Sequence, residues 1–288
     1  MPPPARNYRS QGARLVLLAV LLVAFALRVF RLGYQELRGD EAFGYFFSQK
    51  PVAEIVRSTI SLREPHPVAG YVVEKGWLAL AGHSEFALRF ASAWFAVLAV
   101  ALLYRLGRRL ALGRPTALLA AALLAVSPYA IWHSQDSRMY SMSLALTLAS
   151  TCLAVETLEG RGVMAAVGYV LVSWLALHTH YFAAFVLLAQ NIFVVVLALV
   201  DSRYRRRLVP WFALQVVLGL LYLPWLLAAA RTLQTYGGAA DSPGLTSAMT
   251  RALSVFAAGE TVPAGWRTAM AVLAGILLGI GAIRLALS

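Results

Sequence analysis

The chain is a succession of long, almost uncharged apolar runs separated by short gaps that carry arginines. Residues 15–32, 86–106, 115–132, 139–158, 163–177, 181–200, 208–230 and 266–287 each approach or reach the roughly 17 to 25 residues that cross a bilayer as a helix. With 60% hydrophobic and only 13% charged residues over 288 positions, this much apolar surface cannot be enclosed in water by a core of that size. The expected fold is all-α, a polytopic transmembrane helix bundle that takes in residues 1–288 as one module of about eight spans. Neither an internal repeat nor a soluble domain is visible.

The net charge of +12 would point to nucleic acid in a soluble protein, but here the arginines gather at the ends of apolar runs. Arg6, Arg9 and Arg14, then Arg105, Arg108, Arg109 and Arg114, then Arg161, then Arg203, Arg205, Arg206 and Arg207, and finally Arg284 fall in every second gap. Cytoplasmic loops carry that excess, so the N-terminus is placed in the cytoplasm and the loops at 33–85 and 231–265 outside. The first external loop holds Arg38, Lys50, Arg57, Arg63 and Lys75 against this pattern, but it is long, where the rule weakens. A cleaved leader ending at Ala24-Phe25-Ala26 is the rival reading of the N-terminus. It would remove the span that lets later loops alternate, so a retained first helix is expected, with Arg14 and Arg28 snorkelling to the interfaces. The single cysteine, Cys152, forms no intrachain disulfide.

The stretches EAFGYFFSQ and PVAGYVVEKGWLALAG in the first external loop suit helices lying at the membrane interface, with Tyr45, Tyr71 and Trp77 at headgroup level. The alternation also places Asp40, Glu41, Glu64, His66, Asp136, Arg138, His178 and His180 on one side. Ionisable groups near membrane depth cost several kcal/mol unless paired or hydrated, so their convergence points to one extracytoplasmic cavity.

Asp40 reads as the N-cap of a helix starting at Glu41, or as a general base toward a hydroxyl nucleophile, and the two roles are compatible. Neighbours on a helix diverge by about 100°, so Glu41 takes a supporting role, such as orienting the acceptor or pairing with Arg38. Prolines on either side of His66 stiffen the loop that holds it. That histidine reads as solvated at a helix start or as a ligand for phosphate or metal. Glu64 with His66 is compatible with a divalent metal but is too small a set to specify one. Asp136 or Ser137 reads as a helix cap, and Asp136 equally as a site residue. A guanidinium at the mouth of an apolar helix pair seeks an anion, and Arg138 has the fork that suits a lipid phosphate or leaving group, the alternatives being an Asp136 partner or interfacial anchoring. In HTHYF, residues two apart share no helix face, so satisfied turn histidines are expected over a metal pair of His178 and His180, with His180 toward the cavity.

In this order the stretches LGYQELRGDEAF, EPHPVAGY, GWLALAGHSEFALRFASA, SPYAIWHSQDSRMYS and HTHYF resemble bacterial members of glycosyltransferase family 39 in the GT-C class. Those are polyprenyl-phosphate-sugar-dependent transferases similar to protein O-mannosyltransferases and to the lipid A aminoarabinose transferase. The resemblance implies a GT-C bundle in a bacterial inner membrane, an inverting transfer, and a polyprenyl-phosphate sugar donor. The acceptor is a hydroxyl on a lipid, glycan or protein. By the resemblance Asp40 matches the acidic base, and Arg138, with His66, would hold the leaving phosphate; from the residues themselves Glu41 joins Asp40 in the expected catalytic pair, and Glu64, Asp136, Tyr140 and His180 complete the expected substrate-binding set. Nucleic acid is not an expected partner, and no cofactor beyond a divalent metal is in view. Relatives continue with further spans where this chain stops at Ser288, so a truncated product or a compact variant is expected. A lipid-binding or transport protein using the same cavity is the alternative.

Overall fold

The structure of the chain, a computed structural model, describes residues 6–61, 66–235, 244–259 and 262–286. All regular secondary structure among them is helical. In chain order the helices are α1 (Arg6–Val29), α2 (Gly39–Ser48), α3 (Val52–Ile60), α4 (Val68–Ala81), α5 (Glu85–Arg109), α6 (Arg114–Val126) and α7 (Pro128–Ser134). There follow α8 (Tyr140–Leu158), α9 (Val163–Thr179), α10 (Ala183–Val200), α11 (Ser202–Arg205), α12 (Leu208–Thr235), α13 (Leu245–Ala258) and α14 (Ala264–Ala286).

Among the described residues five helical stretches are long and apolar enough to cross a membrane: Gln11–Val29, Glu85–Arg109, Tyr140–Leu158, Ala183–Val200 and Leu208–Ala230. The helices α9 and α14 are shorter apolar segments. The run expected at 115–132 is not one straight helix. It breaks at Ser127-Pro128 into α6 and α7, which meet at 57°. Pro128 has no N–H to give to the carbonyl of Leu124, and Ser127 caps the new helix through its hydroxyl, 3.4 Å from the Ala130 amide.

A carbonyl left open at such a break is costly in lipid and needs a donor from elsewhere. Arg28 supplies it. Its guanidinium donates to Leu124 O at 3.1 Å, Ala125 O at 2.9 Å and Ala24 O at 3.1 Å, and the side chain is fully buried. The expectation that Arg28 snorkels to the interface is therefore wrong, because the broken helix offers it carbonyls inside the protein.

At the centre of the bundle, α5 packs against α1, α6 and α8, and α8 packs against α9. Small residues make these approaches close: Ala93, Ala96 and Ala99 on α5 and Ala117, Ala121 and Ala125 on α6 are buried. A Cβ on Gly107 would stand 3.0 Å from that of Ala117. Away from the centre, a polar chain links α8, α9, α10 and α12. Gln190 donates to Thr151 at 2.9 Å and accepts from Tyr169, which in turn accepts from Gln215 at 3.1 Å. Leu188, Ile192 and Leu199 on α10 and Val216, Leu220 and Leu227 on α12 stay exposed, as lipid-facing positions would be.

The segment between α1 and α5 is largely helical, as its aromatic content predicts. Phe47 of α2 meets Tyr71 of α4 edge to face at 4.7 Å, over Ile55 of α3. On α4, Trp77 donates to Ala87 O at 2.7 Å, which fastens this layer to the top of α5.

Candidate functional site

The site is built where α2, α4 and the α7–α8 connection meet the first turns of α5. Glu41 organises it. Its carboxylate reaches back to the amide of the N-cap residue Arg38 at 3.1 Å, as an N3 acid does at a helix start. It also takes both arms of the Arg89 fork, at 2.8 and 2.7 Å, and the amide of Ser137 at 3.0 Å. The remaining donors of Arg89 go to the carbonyls of Leu32, Gln35 and Glu36. One buried pair thus ties together the end of α1, the start of α2, α5 and the connection before α8. Burial alone would raise the Glu41 carboxyl. Arg89, with the amides of Ser137 and Arg38, outweighs that and holds it below its ordinary value.

Asp40 is the second residue of α2, not its N-cap as the sequence suggested, because the helix begins earlier and Arg38 occupies the cap. Its side chain points outward and is 54% exposed, whereas that of Glu41 is fully buried. Asp40 faces Arg138, whose Nε lies 4.0 Å from Oδ2 and whose Nη1 donates to the Asp40 carbonyl at 3.3 Å. The Arg138 side chain is only 8% exposed. Its Nη2 lies 3.3 Å from a ring nitrogen of His66, and Ser92 holds its backbone carbonyl at 3.1 Å.

Beyond Arg138 a cleft opens between α4, α5 and α8. His66, Glu74, Ser137 and Arg138 line its polar part, and Phe95, Met139 and Met142 its apolar part. Gly70 lets α4 come close here, since a Cβ on it would stand 3.2 Å from that of Met139. An aromatic ladder flanks the cleft, running from His66 to His180 to Tyr140 to His133 at ring distances of 6.3, 5.8 and 4.9 Å. His180 accepts the Phe182 amide on Nδ1 at 3.1 Å. Burial, then the nearness of His66 and Arg138, lowers its pKa and favours the neutral ring.

The structure therefore places His66 and Arg138 in the lining of this cleft, sets Asp40 against Arg138, and brings His180 and Tyr140 into the ring ladder that leads away from His66. It does not bring Asp136 to the cleft: Arg38 holds that carboxylate at 2.6 Å. Nor do Asp136 and Ser137 cap α8, whose N-cap is Met139. His178 turns away, with Nδ1 3.0 Å from Trp174 O and its ring among Trp174, Tyr222 and Trp225. Glu64 lies outside the described residues, and among those described no three His, Cys, Asp or Glu side chains converge as a metal cluster.

Two residues escaped the sequence reading. Arg89 sits in the first turns of an apolar span, and Glu74 is the sole acid in α4. A charged residue within an apolar pattern was the available signal in both.

A family model described as dolichyl-phosphate-mannose-protein mannosyltransferase matches residues 64–228. The matched stretch holds His66, Glu74, Arg89, Arg138, Tyr140 and His180, while Asp40 and Glu41 precede it. No curated protein matches the chain.

Proposed function

The chain belongs to the dolichyl-phosphate-mannose-protein mannosyltransferase family, whose members are membrane glycosyltransferases of GT-C type, and from that premise we propose that its cleft receives a sugar carried on a polyprenyl phosphate. The observation that carries this reading is Arg138. A nearly buried guanidinium stands between an exposed carboxylate and an open cleft, where a phosphate oxygen would find both charge and fork. Asp40 and His66 are among the partners of Arg138. A bound phosphate competes for it and releases Asp40 toward the acceptor.

Transfer then follows from the chemistry of the parts. The acceptor hydroxyl attacks the anomeric carbon from the face opposite the phosphate, Asp40 takes its proton, and the bond from that carbon to the phosphate oxygen breaks. One displacement inverts the anomeric centre, and the polyprenyl phosphate leaves against Arg138. Glu41 supports this by fixing the helix that carries Asp40.

The arginine clusters support an extracytoplasmic cleft. Arg105 and Arg109, which share Glu156 at 2.7 and 3.0 Å, lie at the far end of α5 from Arg89. Gly39→Cys, on a Cys152→Ser background, should react with an impermeant thiol reagent applied to intact cells, and Ser202→Cys should not. The opposite labelling would reverse the orientation.

The experiment for the activity is direct. Purified protein given a polyprenyl phosphomannose and a hydroxyl acceptor should release polyprenyl phosphate and form a product of inverted configuration. Binding of the donor lipid with no release under any acceptor would instead support a lipid-binding protein.

A further inference from the structure

Glu74 is not explained by the scaffold. Its Oε2 accepts weakly from the Ser137 hydroxyl at 3.4 Å, while Oε1 is buried with no hydrogen-bond partner among the described residues. Nearby Ser48 sends its hydroxyl proton to Tyr45 O at 2.8 Å. A carboxylate with an orphaned buried oxygen is unfavourable, whereas a carboxylic acid there has an O–H to give. Glu74 lines the same cleft as Arg138 and His66, so a ligand in that cleft is available to receive it.

The charged groups acting on it are Arg138 on the α7–α8 connection and Glu41 on α2, with His66 in the same cleft lining and Asp136 next in sequence to its partner Ser137. The other acids are engaged: Glu41 by Arg89 and Asp136 by Arg38. Burial pushes the Glu74 carboxyl up to about 7, against the opposing pull of Ser48, Ser137 and Arg138. At neutral pH it stands near half-protonation.

Resting on the phosphate reading of the cleft, we infer that Glu74 holds a proton in the donor-ready protein and gives it as a hydrogen bond to a phosphate oxygen of the lipid-linked sugar, beside Arg138. The protonated side chain is then a second donor to the phosphate, and the ionised one repels it. Donor affinity becomes sensitive to pH near neutrality, through a residue that takes no proton from the acceptor.

The test uses the full chain in detergent and geranylgeranyl phosphomannose, a phosphodiester with no proton to lose near neutral pH. The protonated fraction of a group titrating near 7 falls about tenfold from pH 6 to pH 8, and affinity should fall with it. Glu74→Gln keeps an N–H donor at every pH. It should match wild type at pH 6 and bind about tenfold more tightly than wild type at pH 8. Glu74→Met keeps the bulk without a donor, and should be about tenfold weaker than wild type at pH 6 and level with it at pH 8. A slope contributed by any group other than residue 74 is common to all three proteins and cancels in the comparison. Tight binding with parallel pH profiles for the three overturns the inference alone. Folded wild-type protein that binds the probe at neither pH overturns the phosphate reading, and the inference with it.

Discussion

The Glu41–Arg89 pair and the Asp40–Arg138 pair both join α2 to the rest of the bundle, and they differ in what is left over. In the first, both carboxylate oxygens are shared among Arg89, Arg38 and Ser137, and further Arg89 donors reach three backbone carbonyls. In the second, the acid is half in solvent, the closest approach is 4.0 Å, and a cleft lies alongside. A saturated buried pair has no capacity for a ligand. A loose pair at an opening does, and it is there that the chemistry is to be sought.

The largest effect on stability should come from opening the saturated pair. Arg89→Met leaves Glu41 buried without its cation, and breaking one side of such a pair costs about 3 to 5 kcal/mol. Thermal unfolding in detergent should show a large drop in melting temperature. The drop should shrink in acid. Glu41 is held below its ordinary value of 4.5, so the stability it contributes is present above that pH and is lost as pH falls through the lower folded value. In the variant burial favours the neutral carboxyl, so acid relieves its penalty. A deficit independent of pH between about 6 and 3 would mean that the pair is not what holds the layer.

A smaller effect is expected at the loose pair. Arg138→Ala should weaken binding of a polyprenyl phosphate by about 1.5 to 3 kcal/mol, roughly tenfold to over a hundredfold. Arg138→Lys keeps the charge without the fork and should fall between. Equal affinity in wild type and Arg138→Ala would remove Arg138 from the site. Smallest of all is the exposed pair of Arg203 with Asp201 on the opposite face, at 2.6 Å. Arg203→Ala should leave both melting temperature and donor binding unchanged within error.

How much of this could be seen in advance depends on how far each signal reaches along the chain. The five long apolar helices were legible because hydropathy is read within one run. The break at Ser127-Pro128 was written in the sequence but lay inside an apolar run, and what makes it tolerable, Arg28, lies about a hundred residues away. Asp40 with Arg138 could be placed on one side by the arginine alternation alone. Arg89 could not be assigned to Glu41, since nothing in a single chain joins positions 48 residues apart. For the same reason Glu74 read as part of an interfacial helix: its burial and its orphaned oxygen are made by α2, α5 and the α7–α8 connection together.

The contrast between the neighbours Asp40 and Glu41 is tested most directly by measuring melting temperature and transfer rate together on Asp40→Asn and Glu41→Gln. Asp40→Asn keeps size and hydrogen bonding but not basicity. It should melt as wild type does, bind donor normally, and transfer about 10² to 10⁴-fold more slowly. Glu41→Gln leaves Arg89 buried against a neutral partner, so it should melt well below wild type, with the smaller loss of transfer per folded molecule. The opposite pattern, near-normal transfer in Asp40→Asn and none in a Glu41→Gln protein of undiminished stability, would contradict the division of roles.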